Sequence, residues 1–116
     1  MVGPQNKPAV SRLRAVVSDP ATLRPLARDA AESLAQTLRV VADPTRLQLL
    51  SMIQGSSSQE ATVGDLANHL GLRQPTITHH LRLMHEEGLL LREQRGRNVW
   101  YSIAPDRRSA IADLLR

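Results

Sequence analysis

Two short apolar-patterned stretches, "TVGDLANHL" and "PTITHHLRLMHEEG", are separated by only the four residues 71–74. So brief a connection makes whatever the two stretches form close neighbours in space. In the first, Thr62 stands where a helix cap belongs, and Val63, Leu66, Ala67 and Leu70 fall on one helical face. Gly71 is the residue type that ends a helix in a left-handed conformation. In the second, Pro75 suits a first turn, and the pattern predicts a helix from there to about Gly88. Two short helices joined by a tight, glycine-containing turn make a helix-turn-helix.

The flanks extend this unit. From Leu23, the apolar positions Leu26, Ala30, Leu34, Leu38 and Val41 repeat at helical spacing and predict a helix that ends at Asp43-Pro44. Asp43 then caps a second helix, "PTRLQLLSMI", with Pro44 in its first turn, and "QGSSSQE" follows as a polar loop. After the helix-turn-helix the period drops to two. "LLLREQ" and "NVWYSI" are strand-like runs on either side of "RGRN", a glycine turn, with Val99, Tyr101 and Ile103 on one face and Trp100 and Ser102 on the other. A last helix is predicted over "PDRRSAIADLLR". The order is four helices, a hairpin and a fifth helix: a mainly α chain with a small β-hairpin, in the pattern of a winged helix-turn-helix. Residues 1–20, with three prolines among polar and basic residues, are predicted to be a mobile basic arm with a short helix over "SRLRAVV", and residues 21–116 the folded domain.

Composition narrows the chemistry. The 116 residues carry a net charge of +4, nearly all the positive charge coming from arginine, and include one tryptophan, one tyrosine and no phenylalanine. The core must be aliphatic, and the basic balance favours a polyanionic partner, with an ordinary solvated surface as the plain alternative. Cysteine is absent, which excludes disulfides, thiolate catalysis and sulfur-based metal sites. No apolar run approaches the ~20 residues needed to cross a bilayer, and the first ten residues lack a secretion signal, so a cytoplasmic protein with no membrane partner is expected.

The adjacent His79 and His80 suggest a metal site, but a helical wheel separates them. With Ile77, Leu81 and Met84 defining the core arc, His79 lies nearly opposite and His80 about 60° from the core centre at ~100° per residue. Helical metal pairs sit three or four apart, so the two do not share an ion. His80 is expected to be fixed by packing and one hydrogen bond. Gln74, Thr76, Thr78, His79 and Arg82 project from the first turns of the helix, where a DNA-reading helix meets base edges. Arg73 and Arg82 suit phosphate or guanine. Arg95, Arg97 and Asn98 at the hairpin tip complete a candidate DNA-binding set. A solvated polar helix face and a merely soluble hairpin tip are the plain alternatives; the coincidence of the two elements is more specific than either alone.

"LRVVADPTRLQLLSMI", "TVGDLANHLGLRQPTITHHLRLMHEEGLL" and "RGRNVWYSI" together resemble the ArsR/SmtB family of bacterial winged-helix repressors, over about residues 34–103. The resemblance implies a homodimer on a double-stranded operator with inverted symmetry, released when a ligand binds. It implies a dimer interface of the first and last helices, here Leu34, Leu38, Ile111, Leu114 and Leu115. It also marks two departures. Where relatives carry Cys-Val-Cys for arsenic, cadmium or lead, this chain has Thr62-Val63-Gly64. Where zinc and cobalt sensors place Asp and His on the last helix, it has Pro105, Asp106, Arg107 and Arg108.

No metal site and no cofactor are therefore expected, and the effector is unassigned. Asp65 and His69 share a helix face at i, i+4, an exposed ion pair being the simpler reading than a two-ligand metal site; His85, Glu86 and Glu87 are the other oxygen or nitrogen donors. The leading expectation is a sequence-specific DNA-binding repressor. The alternative is a winged-helix protein-interaction module without specific DNA binding. An enzyme has no support, for want of a nucleophile–base pair, phosphate loop or metal cluster.

Overall fold

The computed structural model describes residues 23–116. The basic arm expected at 1–20, with its short helix, lies outside the described residues. Contacts divide the chain into two units, Met1–Glu32 and Ser33–Arg116. In the described part of the first, residues 23–27 have no regular structure and α1, Arg28–Val41, begins. The expected helical start at Leu23 is thus five residues early. Pro25 has no N–H and biases Arg24 towards extended backbone, and the first helical bond runs from the Ala31 amide to the Ala27 carbonyl at 2.9 Å.

In the second unit, α2, Pro44–Gly55, starts as expected: the Asp43 carboxylate accepts from the Arg46 amide at 3.0 Å and Pro44 occupies the first turn. Next come β1, Glu60–Thr62, and α3, Val63–Leu70, capped by the Thr62 hydroxyl, which accepts from the Asp65 amide at 3.1 Å. Gly71 closes α3 at φ 66°, its N–H bonding back to the Ala67 and Asn68 carbonyls. α4, Gln74–Glu86, is followed by β2, Leu90–Arg95, and β3, Asn98–Ile103. A 3-10 turn, Pro105–Arg107, leads into α5, Arg108–Leu114.

The sheet has three antiparallel strands in the order β1-β3-β2, with Thr62 opposite Trp100, Arg92 opposite Tyr101 and Arg95 opposite Asn98. The hairpin loop is therefore the pair Gly96-Arg97. Gly96 is at φ 61° and Arg97 is not among the positive-φ residues, which is the geometry of a type II′ turn. β1 is absent from the sequence reading, which took this stretch as loop and cap. Its three residues are all half-buried and show no alternation, so neither period marks them. Only the neighbouring edge of β3 makes them a strand.

The core of this unit is aliphatic. Leu49, Leu50 and Ile53 of α2, Leu66 of α3 and Ile77, Leu81 and Met84 of α4 meet Leu90, Tyr101 and Ile103 of the hairpin and Ile111 of α5. Each large aliphatic side chain buried this way contributes about 1.5–3 kcal/mol.

Candidate nucleic-acid interface

α4 is sharply two-sided. Ile77, Leu81 and Met84 are 0 % exposed, while Gln74, Thr76, His79 and Arg82 are exposed and Thr78 is half-buried. The 3.6-residue period alone produces this division. Arg73 occupies the cap position with its carbonyl, accepting from the Thr76 and Ile77 amides at 3.1 and 3.2 Å, and makes no capping bond with its side chain. Its guanidinium is left to the surface beside the first turn.

The paired histidines part company. Their rings are 6.0 Å apart with planes at 59°. His79 is exposed. His80 is half-buried, and its Nδ1 accepts from Arg46 Nε at 3.1 Å, while Arg46 Nη1 donates to the Val40 carbonyl at 2.8 Å. Arginine only donates, so Nδ1 carries no proton in this bond. His80 thereby ties α4 to the first turn of α2 and, through Arg46, to the end of α1. A second tie joins α1 to the C-terminal cap of α4: the Thr37 hydroxyl donates to the Glu87 carboxylate at 2.9 Å.

The tip of the wing contains one engaged arginine, Arg95, and one outward one, Arg97. Arg95 grips Glu60 with both terminal nitrogens, at 2.7 and 2.9 Å, also bonds Glu93, and lies 5.0 Å from the centre of the Trp100 ring. It reaches from β2 across β3 to β1, clamping the three strands together on one face. The Arg95 hydrogen bond holds the Glu60 carboxyl below its usual range against an opposing effect of desolvation, and the Arg95 guanidinium is correspondingly harder to deprotonate. Arg97 and Asn98, at the tip, are exposed, and Arg97 makes no side-chain hydrogen bond among the described residues.

Two hollows join these elements. One of about 190 Å³ is lined by Gln74 and Thr78 of α4, by Arg97 and Asn98 of the wing tip, and by Thr62, Val63 and Gly64. Two of the expected readers, Gln74 and Thr78, and two of the expected wing contacts, Arg97 and Asn98, thus lie around one concavity, while Thr76, His79 and Arg95 are outside its lining. The other, of about 320 Å³, lies between α4 and the hairpin and is lined by Thr78, Arg82, His85, Arg92, Val99 and Tyr101. Here the structure adds a residue that the sequence reading missed. Arg92 shares the Leu90 face of β2, the face turned to α4, so a second guanidinium stands in the cleft with Arg82. Strict alternation from Leu90 was the available signal. His85 is anchored beside them: its Nδ1 lies 2.9 Å from the Leu90 carbonyl, so it donates, and the ring meets Tyr101 edge-on at 6.5 Å.

The remaining expectations separate by burial. Leu34, Leu38 and Leu114 are 51, 49 and 48 % exposed. Ile111 is buried in the chain's own core and Leu115 packs partly against it, so these two seat α5. The ion pair expected between Asp65 and His69 does not form; His69 Nδ1 lies 2.9 Å from the Asp65 backbone carbonyl instead. A carbonyl one turn back is in easier reach of the ring than the exposed carboxylate. Among the described residues no three His, Asp or Glu side chains converge to hold a metal ion.

Comparison with known proteins agrees with this geometry. Residues 43–91 match the model of the bacterial regulatory protein arsR family. The HTH-type transcriptional regulator YgaV of Escherichia coli K12 is 33 % identical over 74 % of this chain and 85 % of its own length. NmtR of Mycobacterium tuberculosis is 34 % identical over 68 % of this chain, which spans 63 % of that regulator. The structure of the transcriptional regulator HlyU from Vibrio vulnificus superposes with a TM-score of 0.63 at 28 % identity, covering 75 % of this chain and 88 % of that one. These are regulators, not enzymes. A two-sided α4, a wing beside its first turns and this agreement in sequence and fold together make the chain a member of the ArsR family.

Proposed function

We propose that the chain is a sequence-specific DNA-binding repressor acting as a homodimer on an inverted-repeat operator in the cytoplasm. One observation carries this reading: the polar outer face of α4 and the basic wing border common hollows, so groove and phosphate contacts come from adjoining elements. Gln74, Thr76, Thr78 and His79 read base edges. Arg73, Arg82, Arg92, Arg97 and Asn98 hold the phosphates and the groove rim, and Arg95 fixes the wing that presents them. Leu34, Leu38 and Leu114 supply the partner-facing apolar surface, with Ile111 and Leu115 as the layer beneath. Two-fold symmetry then sets the two α4 helices about 34 Å apart, one turn of DNA. Among the described residues no helix is long and apolar enough to cross a membrane.

The test is a gel-shift titration with DNA from upstream of the protein's own gene, against a shuffled fragment of equal length. Repression predicts a shift at concentrations at least about a thousandfold lower for the upstream DNA, the lower end of the ~10³–10⁷ range separating specific from non-specific binding in such proteins. Equal, weak binding to both fragments overturns the proposal.

A further inference from the structure

A third concavity, of about 420 Å³, opens between α2, β1, α3 and the base of the wing. Its size is that of a small-molecule site, and its wall combines an apolar body with a few polar groups. Met52, Leu66 and Trp100 supply the apolar wall; Glu60, Asp65 and His69 stand among them. No arginine or lysine lines it. In a chain of net charge +4 this is a local reversal of sign.

Two of the polar groups, Asp65 and His69, are acceptors with capacity to spare. Among the described residues the Asp65 carboxylate has neither ion pair nor hydrogen bond. His69 spends Nδ1–H on the Asp65 carbonyl, which leaves Nε2 of the neutral ring as an acceptor. The chain also demonstrates what Glu60 and Trp100 hold. Its own Arg95, a flat organic cation, is gripped by that carboxylate and packed over that ring at 5.0 Å.

We propose that this cavity is an effector site for a small organic cation, an amine or amidinium on an apolar body, whose binding draws Glu60 and Trp100 away from Arg95. The ligand's charge meets Asp65 and Glu60 while its body fills the wall of Met52, Leu66 and Trp100. A bound state that prefers Glu60 released shifts the wing towards an unclamped form by that preference alone. The clamp from β2 to β1 is then lost, Arg97 is no longer held in place, and DNA affinity falls. This regulatory half rests on the DNA-binding reading above; the binding half does not.

Trp100 is the only tryptophan, so fluorescence of the full chain reports the site directly. Benzamidine is the probe, and benzamide its neutral counterpart of the same shape. We expect a saturable change with benzamidine and at least tenfold weaker binding of benzamide. Asp65→Asn should weaken benzamidine at least fivefold with an unchanged circular dichroism spectrum, and Asp65→Glu should restore it. No saturable change at millimolar benzamidine, or an equal response to benzamide, overturns the site. Amide hydrogen exchange reads the wing without DNA: saturating benzamidine should speed exchange in β2 and at Gly96-Arg97 several-fold, and unchanged exchange overturns the coupling. With DNA present, benzamidine should weaken binding several-fold in the wild type and add nothing in Arg95→Gln, whose clamp is already open. Ligand binding that leaves DNA affinity intact overturns the regulatory half. A chain that binds no DNA in either state refutes the repressor reading instead, with the fluorescence and exchange results standing.

Discussion

α4 and the wing are held by opposite means. α4 is anchored by three side chains with no exposure at all, Ile77, Leu81 and Met84, plus the His80–Arg46 bond at its flank. The wing hairpin keeps Leu90, Tyr101 and Ile103 in the core, but its outer half rests on a surface clamp, Arg95 on Glu60 over Trp100. Close-packed interiors have few alternative arrangements, whereas an exposed ion pair is screened and easily exchanged for water. The difference suits the two tasks proposed for them. Base readers must hold position to within tenths of an ångström to discriminate, while phosphate contacts tolerate adjustment and give strength rather than sequence.

The comparison breaks most visibly in the core. Leu81→Ala should lower unfolding free energy by about 2–5 kcal/mol, measured by urea denaturation; a loss well below that would mean α4 is not anchored as described. Next come the two kinds of DNA contact. Thr78→Val or His79→Ala should change discrimination at one base pair by about 1–3 kcal/mol, seen as a reordering of operator variants in competition binding. Arg97→Ala should weaken every sequence alike and reduce the slope of log affinity against log salt by about one. If the helix and wing variants behave identically, the division of labour is wrong.

Smaller still is the cap below His80. Asp43→Ala should cost about 1 kcal/mol of stability in the same urea experiment. The least effect on stability is expected at the clamp. Glu60 titrates below the ordinary glutamate range when folded, so its contribution is present at neutral pH and fades as pH falls through that depressed value. In Arg95→Gln the Glu60 carboxyl should titrate in the ordinary range by carbon-detected NMR, and this part of the acid loss should vanish. An unmoved titration would show that Arg95 is not its partner in solution.

Legibility followed the range of the forces involved. The caps Asp43 and Thr62, the terminator Gly71 and the two faces of α4 depend on neighbours a few residues away, so letters and spacing were enough. The wheel separated His79 from His80 for the same reason. Arg92 was legible in principle through its alternation with Leu90, but its partner in the cleft, Arg82, comes from another element. The clamp was not legible. Arg95 looked like a free wing-tip cation because Glu60 lies 35 residues earlier, in a stretch without pattern.

Ile111 shows the same limit at the other end of the chain. Its spacing with Leu114 and Leu115 marks an apolar face, but a single helix does not say whether that face meets its own core or a second copy. Short-range periodicity and capping chemistry settled which segments are helices and hairpin and which side of α4 looks outward. Packing decided that 60–62 is a strand, that one wing arginine is a clamp and another a free tip, and where the acidic cavity opens. Those outcomes depend on contacts between residues far apart in the chain, whose meeting is set by the fold as a whole and leaves no local period to detect.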